Sequence, residues 1–124
     1  MQRDFNLIRS ILFSVEANLA GSRIDSSELV CDKYDPATIT EHIEILIEHG
    51  FLHAGASFAN PETGQKIYVI DRLTWQGHEF LDNARNDTIW KKVMAQAQEK
   101  GTSVSMTVLN GLLTKAAQNY FGLV

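Results

Sequence analysis

At 124 residues, with 44% apolar and 21% charged side chains, the chain is long enough to bury a core without staples and too apolar to remain disordered. Its net charge of −4 supplies no general attraction for nucleic acid, and its single cysteine, Cys31, excludes an internal disulfide and suits a reducing compartment. No apolar run reaches the length of a membrane span, and Arg3, Asp4 and Arg9 occupy the place of a signal-peptide core, so a cytoplasmic single domain over residues 1–124 with no membrane association is expected.

Phe5, Ile8, Ile11, Leu12, Val15 and Leu19 recur at steps of three and four, which predicts an amphipathic helix from Asp4 to about Leu19, ended by Gly21 and Ser22. Phe13 falls nearly opposite that stripe and is expected to pack within the chain. The stretch from Ile24 to Asp35 has no clear period. It accommodates either a short helix started by Asp25 or a short strand around Leu29 to Cys31.

Asp35-Pro36 is an N-cap acid followed by proline at the first helical position, and Gly50 is a stop, so a second long helix runs from about Pro36 to His49. At 100° per residue, Ile39, Ile43, Leu46 and Ile47 form its buried face, and Ala37, Glu41, Glu44 and Glu48 its outer one. The β-prone runs FLHAGASF and QKIYVIDRL follow, separated by ANPETG, whose Asn60-Pro61 and Thr63-Gly64 pairs are turn chemistry; they predict a hairpin.

In the next stretch, LTWQGHEFL, Thr74 is a candidate N-cap, and Gly77, Phe80, Leu81 and Ala84 share one helical face. Glycine in a first turn costs roughly 1 kcal/mol against alanine, so Gly77 implies the close approach of another backbone. Asn86 or Asp87 can then cap a helix carrying Ile89, Trp90, Val93, Met94 and Ala97, with Gly101 as its stop. A last helix starts near Ser103 or Ser105. Its apolar set, including Met106, Leu109, Leu112, Leu113, Tyr120 and Phe121, spans more than one face, which suits packing on two sides or a homodimer through Leu109, Leu113 and Tyr120.

These elements predict an α+β, mainly helical fold. Helix, helix and hairpin in that order give a winged-helix-like core over residues 3–86 with a β-hairpin wing, followed by two additional C-terminal helices over residues 87–124.

Three stretches, MQRDFNLIRSILFSVE, ITEHIEILIEHGFL and RLTWQGHEFLDNARNDTIWKK, together resemble a family of small bacterial and prophage-borne proteins known as a domain of unknown function with a winged-helix look. The resemblance covers most of the chain in the same order. It implies the fold and a phage or prophage origin, and it carries over no catalytic or ligand residue.

A winged helix that docks in the major groove needs lysine or arginine on the outer face of the helix before its wing. No lysine or arginine occurs between Lys33 and Lys66, and that face offers Glu41, Glu44 and Glu48 instead. Three carboxylates there read either as a solvated face or as a surface for a basic protein partner. The alternative reading, a DNA-binding transcriptional regulator, would have to rely on the wing and scattered bases: Arg3, Arg9, Lys66, Arg85, Lys91 and Lys92.

His42, His49 and His53 are spaced over more than ten ångströms of helix rise, unlike a tight set of zinc ligands, so neither metal nor cofactor is expected. His49 suits the carboxyl end of its helix, and His78 reads as a boundary histidine. Trp75 and Trp90 read as core or helix-junction residues. Cys31, flanked by Glu28, Asp32 and Asp35, is expected to have a raised thiol pKa, and no nucleophile elbow, phosphate loop or paired carboxylates appear. The sequence therefore predicts a non-enzymatic interaction module, an adaptor or inhibitor acting through the acidic helix face.

Overall fold

In the computed structural model, which describes residues 1–100 and 104–123, the chain is α+β and mainly helical. The elements are α1 (Phe5–Glu16), β1 (Ile24–Asp25), a 3-10 turn (Ser26–Glu28), α2 (Pro36–His49), β2 (Leu52–Ala59), β3 (Lys66–Leu73), α3 (Trp75–Ala84), α4 (Asp87–Glu99) and α5 (Met106–Tyr120). Two compact units divide the chain, Met1–His78 and Glu79–Val124.

Side-chain caps set most helix starts. Asp4 accepts from the Leu7 N–H, Asp35 from Thr38, Asn86 from Ile89 and Ser105 from Val108, each satisfying a first-turn donor that has no partner within its helix. Gly50 ends α2 in the left-handed conformation (φ 90°), and the Phe51 N–H then reaches back to the Leu46 carbonyl at 2.9 Å. The expected stops and starts at Gly101 and Ser103 lie outside the described residues.

In the first unit, β1 and β2 each pair antiparallel with β3, so the three-stranded sheet has the order β1-β3-β2. At the hairpin turn, Asn60 Oδ1 accepts from the N–H groups of Glu62 (2.8 Å) and Thr63 (3.3 Å), and Gly64 takes a positive φ. Helices α1 and α2 pack on each other, with α1 also on β3 and α2 on β2 and β3. Leu7, Ile8, Ile11 and Leu12 of α1 join Ile39, Ile43 and Leu46 of α2 and Leu52, Ile70 and Leu73 of the sheet in the buried core.

Two local expectations are corrected, and one open alternative is resolved. α1 stops at Glu16, short of Leu19: the Asn18 N–H turns to the Val15 carbonyl three residues back at 3.2 Å, and the Asn18 side-chain amide donates to the Ser22 carbonyl at 3.0 Å; Leu19 is exposed in the resulting turn. Between Ile24 and Asp35 the strand is Ile24–Asp25, whereas Leu29 to Cys31 has no regular structure. The short helix is the 3-10 turn that follows Asp25, whose N–H donates to Glu28 at 3.3 Å. Ile47 is only half-buried, and His42 takes the core position that the expected face lacked.

Thr74 caps α3 as expected, accepting from the Gly77 N–H at 3.1 Å and donating to the Gly50 carbonyl. A Cβ on Gly77 would collide with the Phe51 carbonyl oxygen, which itself accepts from the Thr74 N–H at 3.0 Å. The close approach implied by that glycine is therefore between α3 and the start of the hairpin. Trp75, on the first residue of α3, is 76% exposed, contrary to its reading as a core or junction residue. In the second unit Trp90 is buried and meets Phe80 edge to face at 6.4 Å, a geometry worth about 1 kcal/mol beyond area burial. Val93, Ala97, Leu109 and Leu113 extend this core, and α5 packs on α4. No helix among the described residues is long and apolar enough to cross a membrane.

Candidate interaction surface

Helix α2 is held by a part-buried polar network around His42. The Asp4 N–H donates to Nε2 of His42 at 2.9 Å, which places the ring proton on Nδ1, where it donates to the Thr38 carbonyl at 2.9 Å. The Asp4 carboxylate divides its oxygens between the Leu7 N–H (3.1 Å) and the Tyr34 hydroxyl, which donates at 2.7 Å. That hydrogen bond, with burial and the negative charge of Asp4 adding to it, pushes the Tyr34 phenol up to about 12. Asp35, exposed at the start of α2, has its carboxyl pKa lowered by the Thr38 N–H it accepts from.

With the inner face so engaged, the outer face is left to Ala37, Glu41, Glu44 and Glu48, all exposed as expected. None of the three glutamates has a hydrogen-bond or ion-pair partner among the described residues. The base of the hairpin turn is tied to the same helix by Gln65, whose amide donates to Thr40 Oγ1 at 3.3 Å. The Met1–His78 unit carries eleven acidic against six basic side chains, so its overall charge reinforces the sign of this face.

Several of the basic candidates are engaged within their own unit. Half-buried Arg9 lies over the Phe13 ring at 4.9 Å, Arg3 lies 5.8 Å from the Phe5 ring and Lys66 5.0 Å from that of Tyr68. Arg85 pairs with Asp82 at 3.0 Å, and Lys91 and Lys92 are exposed on α4. Arg9 and Lys66 belong to the first unit, and Arg85, Lys91 and Lys92 to the second.

Of the residues expected at a dimer interface, Leu109 and Leu113 are fully buried within the chain itself, on the helix that packs against α4, so neither offers surface to a second copy. Tyr120 is 68% exposed. The histidines have separate roles: His42 is in the part-buried network, the His49 ring packs edge-on to Phe51 at 4.4 Å, His53 bonds Asp71, and His78 lies 3.9 Å from Glu16. Among the described residues no group of three or more histidine, cysteine, aspartate or glutamate side chains could hold a metal ion. The Cys31 thiol is raised as expected, with burial the first cause and Asp32 the second.

One cluster was not anticipated. Asp71 on β3 accepts from Arg23 Nε at 3.2 Å and from His53 Nδ1 on β2 at 2.8 Å, and a Cβ on Gly55 would stand 2.8 Å from the same carboxylate. The β2 pairing is irregular between His53 and Ala56, which brings His53 to Asp71 although its register partner is Arg72. A bulge of this kind leaves no periodic trace in sequence.

The fold and surface together define a small, mainly helical α+β protein with an unpaired acidic helix face. The chain belongs to the family described as Hypothetical protein (DUF2513), whose model matches residues 2–103 and so leaves α5 beyond its end. It is 30% identical over 111 residues to an uncharacterized protein of Haemophilus influenzae strain Rd, covering 88% of this chain and 89% of that relative. No solved structure matches it.

Proposed function

We propose that this protein is a non-enzymatic interaction module of winged-helix type that binds a basic protein partner through the outer face of α2. The observation that carries the reading is the stripe of Glu41, Glu44 and Glu48, exposed at helical spacing and without counter-ions among the described residues. The winged-helix reading draws support from the order of elements. A helix and a short strand precede a helical turn, α2 and a hairpin, and the first strand adds to the hairpin in the order β1-β3-β2. In such a fold α2 holds the position that would enter a DNA groove, and carboxylates there repel phosphates while steering a basic protein surface inward. The resemblance to prophage-borne proteins supports a host protein as the partner, with this chain as its adaptor or inhibitor.

The test pairs capture with a nucleic-acid control. Glu41→Lys together with Glu44→Lys should leave the circular dichroism spectrum unchanged and abolish recovery of the partner that the wild-type chain retains from bacterial lysate. Retention of the same partner by the variant would remove this face from the reading. Salt-sensitive binding of a labelled random-sequence duplex by the wild-type chain would replace it with a DNA-binding regulator.

A further inference from the structure

The second unit contains a groove of about 450 Å³ between α4 and α5. Its lining combines apolar Ile89 and Val93 of α4 and Leu112 and Ala116 of α5 with polar Gln96 and Asn119, and exposed Lys92 and Lys115 belong to it as well. Each helix contributes residues over about two turns, roughly 10 Å of rise. Among the described residues no carboxylate lines the groove, and α5 from Met106 to Tyr120 contains none.

We propose that this groove docks an amphipathic helix of a protein partner, one that carries carboxylates beside its apolar stripe. Two packed neighbouring helices present a surface on which a third helix sets residues at steps of three and four. The two lysines select its charge, since an incoming glutamate on either side meets a cation and a lysine meets repulsion. The same charge argues against a second copy: an isologous pair would gather Lys92 and Lys115 of both copies in one contact, with no acid in α5 to compensate. A nucleic-acid strand is equally ill-suited, because phosphates would have to be desolvated against Ile89, Val93, Leu112 and Ala116. The site lies wholly within the Glu79–Val124 unit and does not depend on the acidic face of α2.

The experiment uses the full chain and a displayed library of 18-residue amphipathic helical peptides, with apolar residues at steps of three and four and flanking positions randomised among Glu, Gln and Lys. Selected peptides should be enriched in Glu. Their affinity, read by fluorescence anisotropy, should fall about tenfold or more with Lys92→Glu and Lys115→Glu combined, and Ala116→Trp, which fills the groove, should compete with docking. Circular dichroism confirms that each variant is folded. A failure to enrich any peptide, enrichment of Lys, or binding that survives both charge reversals would overturn the proposal. Self-association in sedimentation that Lys115→Glu alters would overturn it too, by assigning the groove to a second copy.

Discussion

The backbone N–H of Asp4 donates to Nε2 of His42, thirty-eight residues away, and so joins the N-cap of α1 to the middle of α2. The ring is fully buried, with both nitrogens engaged. His42→Ala would leave the Asp4 N–H and the Thr38 carbonyl short of a side-chain partner and open a cavity. Each unsatisfied buried group costs about 1–3 kcal/mol, and with the lost packing the expected destabilisation is about 2–4 kcal/mol in urea unfolding. His49→Ala, on the exposed end of the same helical edge, loses only its edge contact with Phe51 and should cost about 1 kcal/mol or less. Equal effects at the two histidines would refute the network as the reason for His42's burial.

Tyr34 makes the same network sensitive to high pH. Its phenol donates to the Asp4 carboxylate, and its pKa is raised to about 12 from the ordinary value of 10.0. A folded-state pKa above the unfolded one means that the bond contributes fully below pH 10 and is lost as pH rises through about 12. Stability measured across that window should therefore fall more steeply for the wild-type chain than for Tyr34→Phe. Parallel curves would show that the hydroxyl is not coupled to folding.

Gly77 decides between two opposed effects. Alanine in an exposed helix is favoured over glycine by about 1 kcal/mol, so propensity alone predicts that Gly77→Ala stabilises. The new Cβ would meet the Phe51 carbonyl, a backbone atom fixed by its bond to the Thr74 N–H, and overpacking of this kind costs about 1–3 kcal/mol. Net destabilisation in thermal unfolding is expected. A rise in Tm would mean that α3 can shift away from the hairpin.

Legibility in the sequence followed the range of the interaction. Asp35-Pro36, Asn86, Thr74 and the Asn60 to Gly64 turn act within a few residues of themselves, and the structure has them in those roles. Gly77 was legible because glycine inside a helix needs a reason. His42 was not, since its partner Asp4 is distant in sequence and a histidine at helical spacing looks the same whether it faces core or solvent. The Arg23, His53 and Asp71 cluster depends on a strand irregularity, and the pairing of Ile24 and Asp25 with β3 rests on two residues without alternation. Exposure of Glu41, Glu44 and Glu48 followed directly from the period of α2.

Periodicity was least decisive in α5, where apolar residues occur on several faces and only packing separates core from surface. Leu113 is fully buried, whereas Val108 and Tyr120 are exposed. Leu113→Ala should therefore cost about 2–5 kcal/mol, as deletion of a buried leucine side chain does, and leave the mass measured by light scattering the same as that of the wild-type chain. Val108→Ala, on a half-exposed position of the same helix, should be far milder. If Leu113→Ala instead changed the mass and barely altered stability, Leu113 would be at a contact between copies, and the α4 and α5 packing that buries it would need revision.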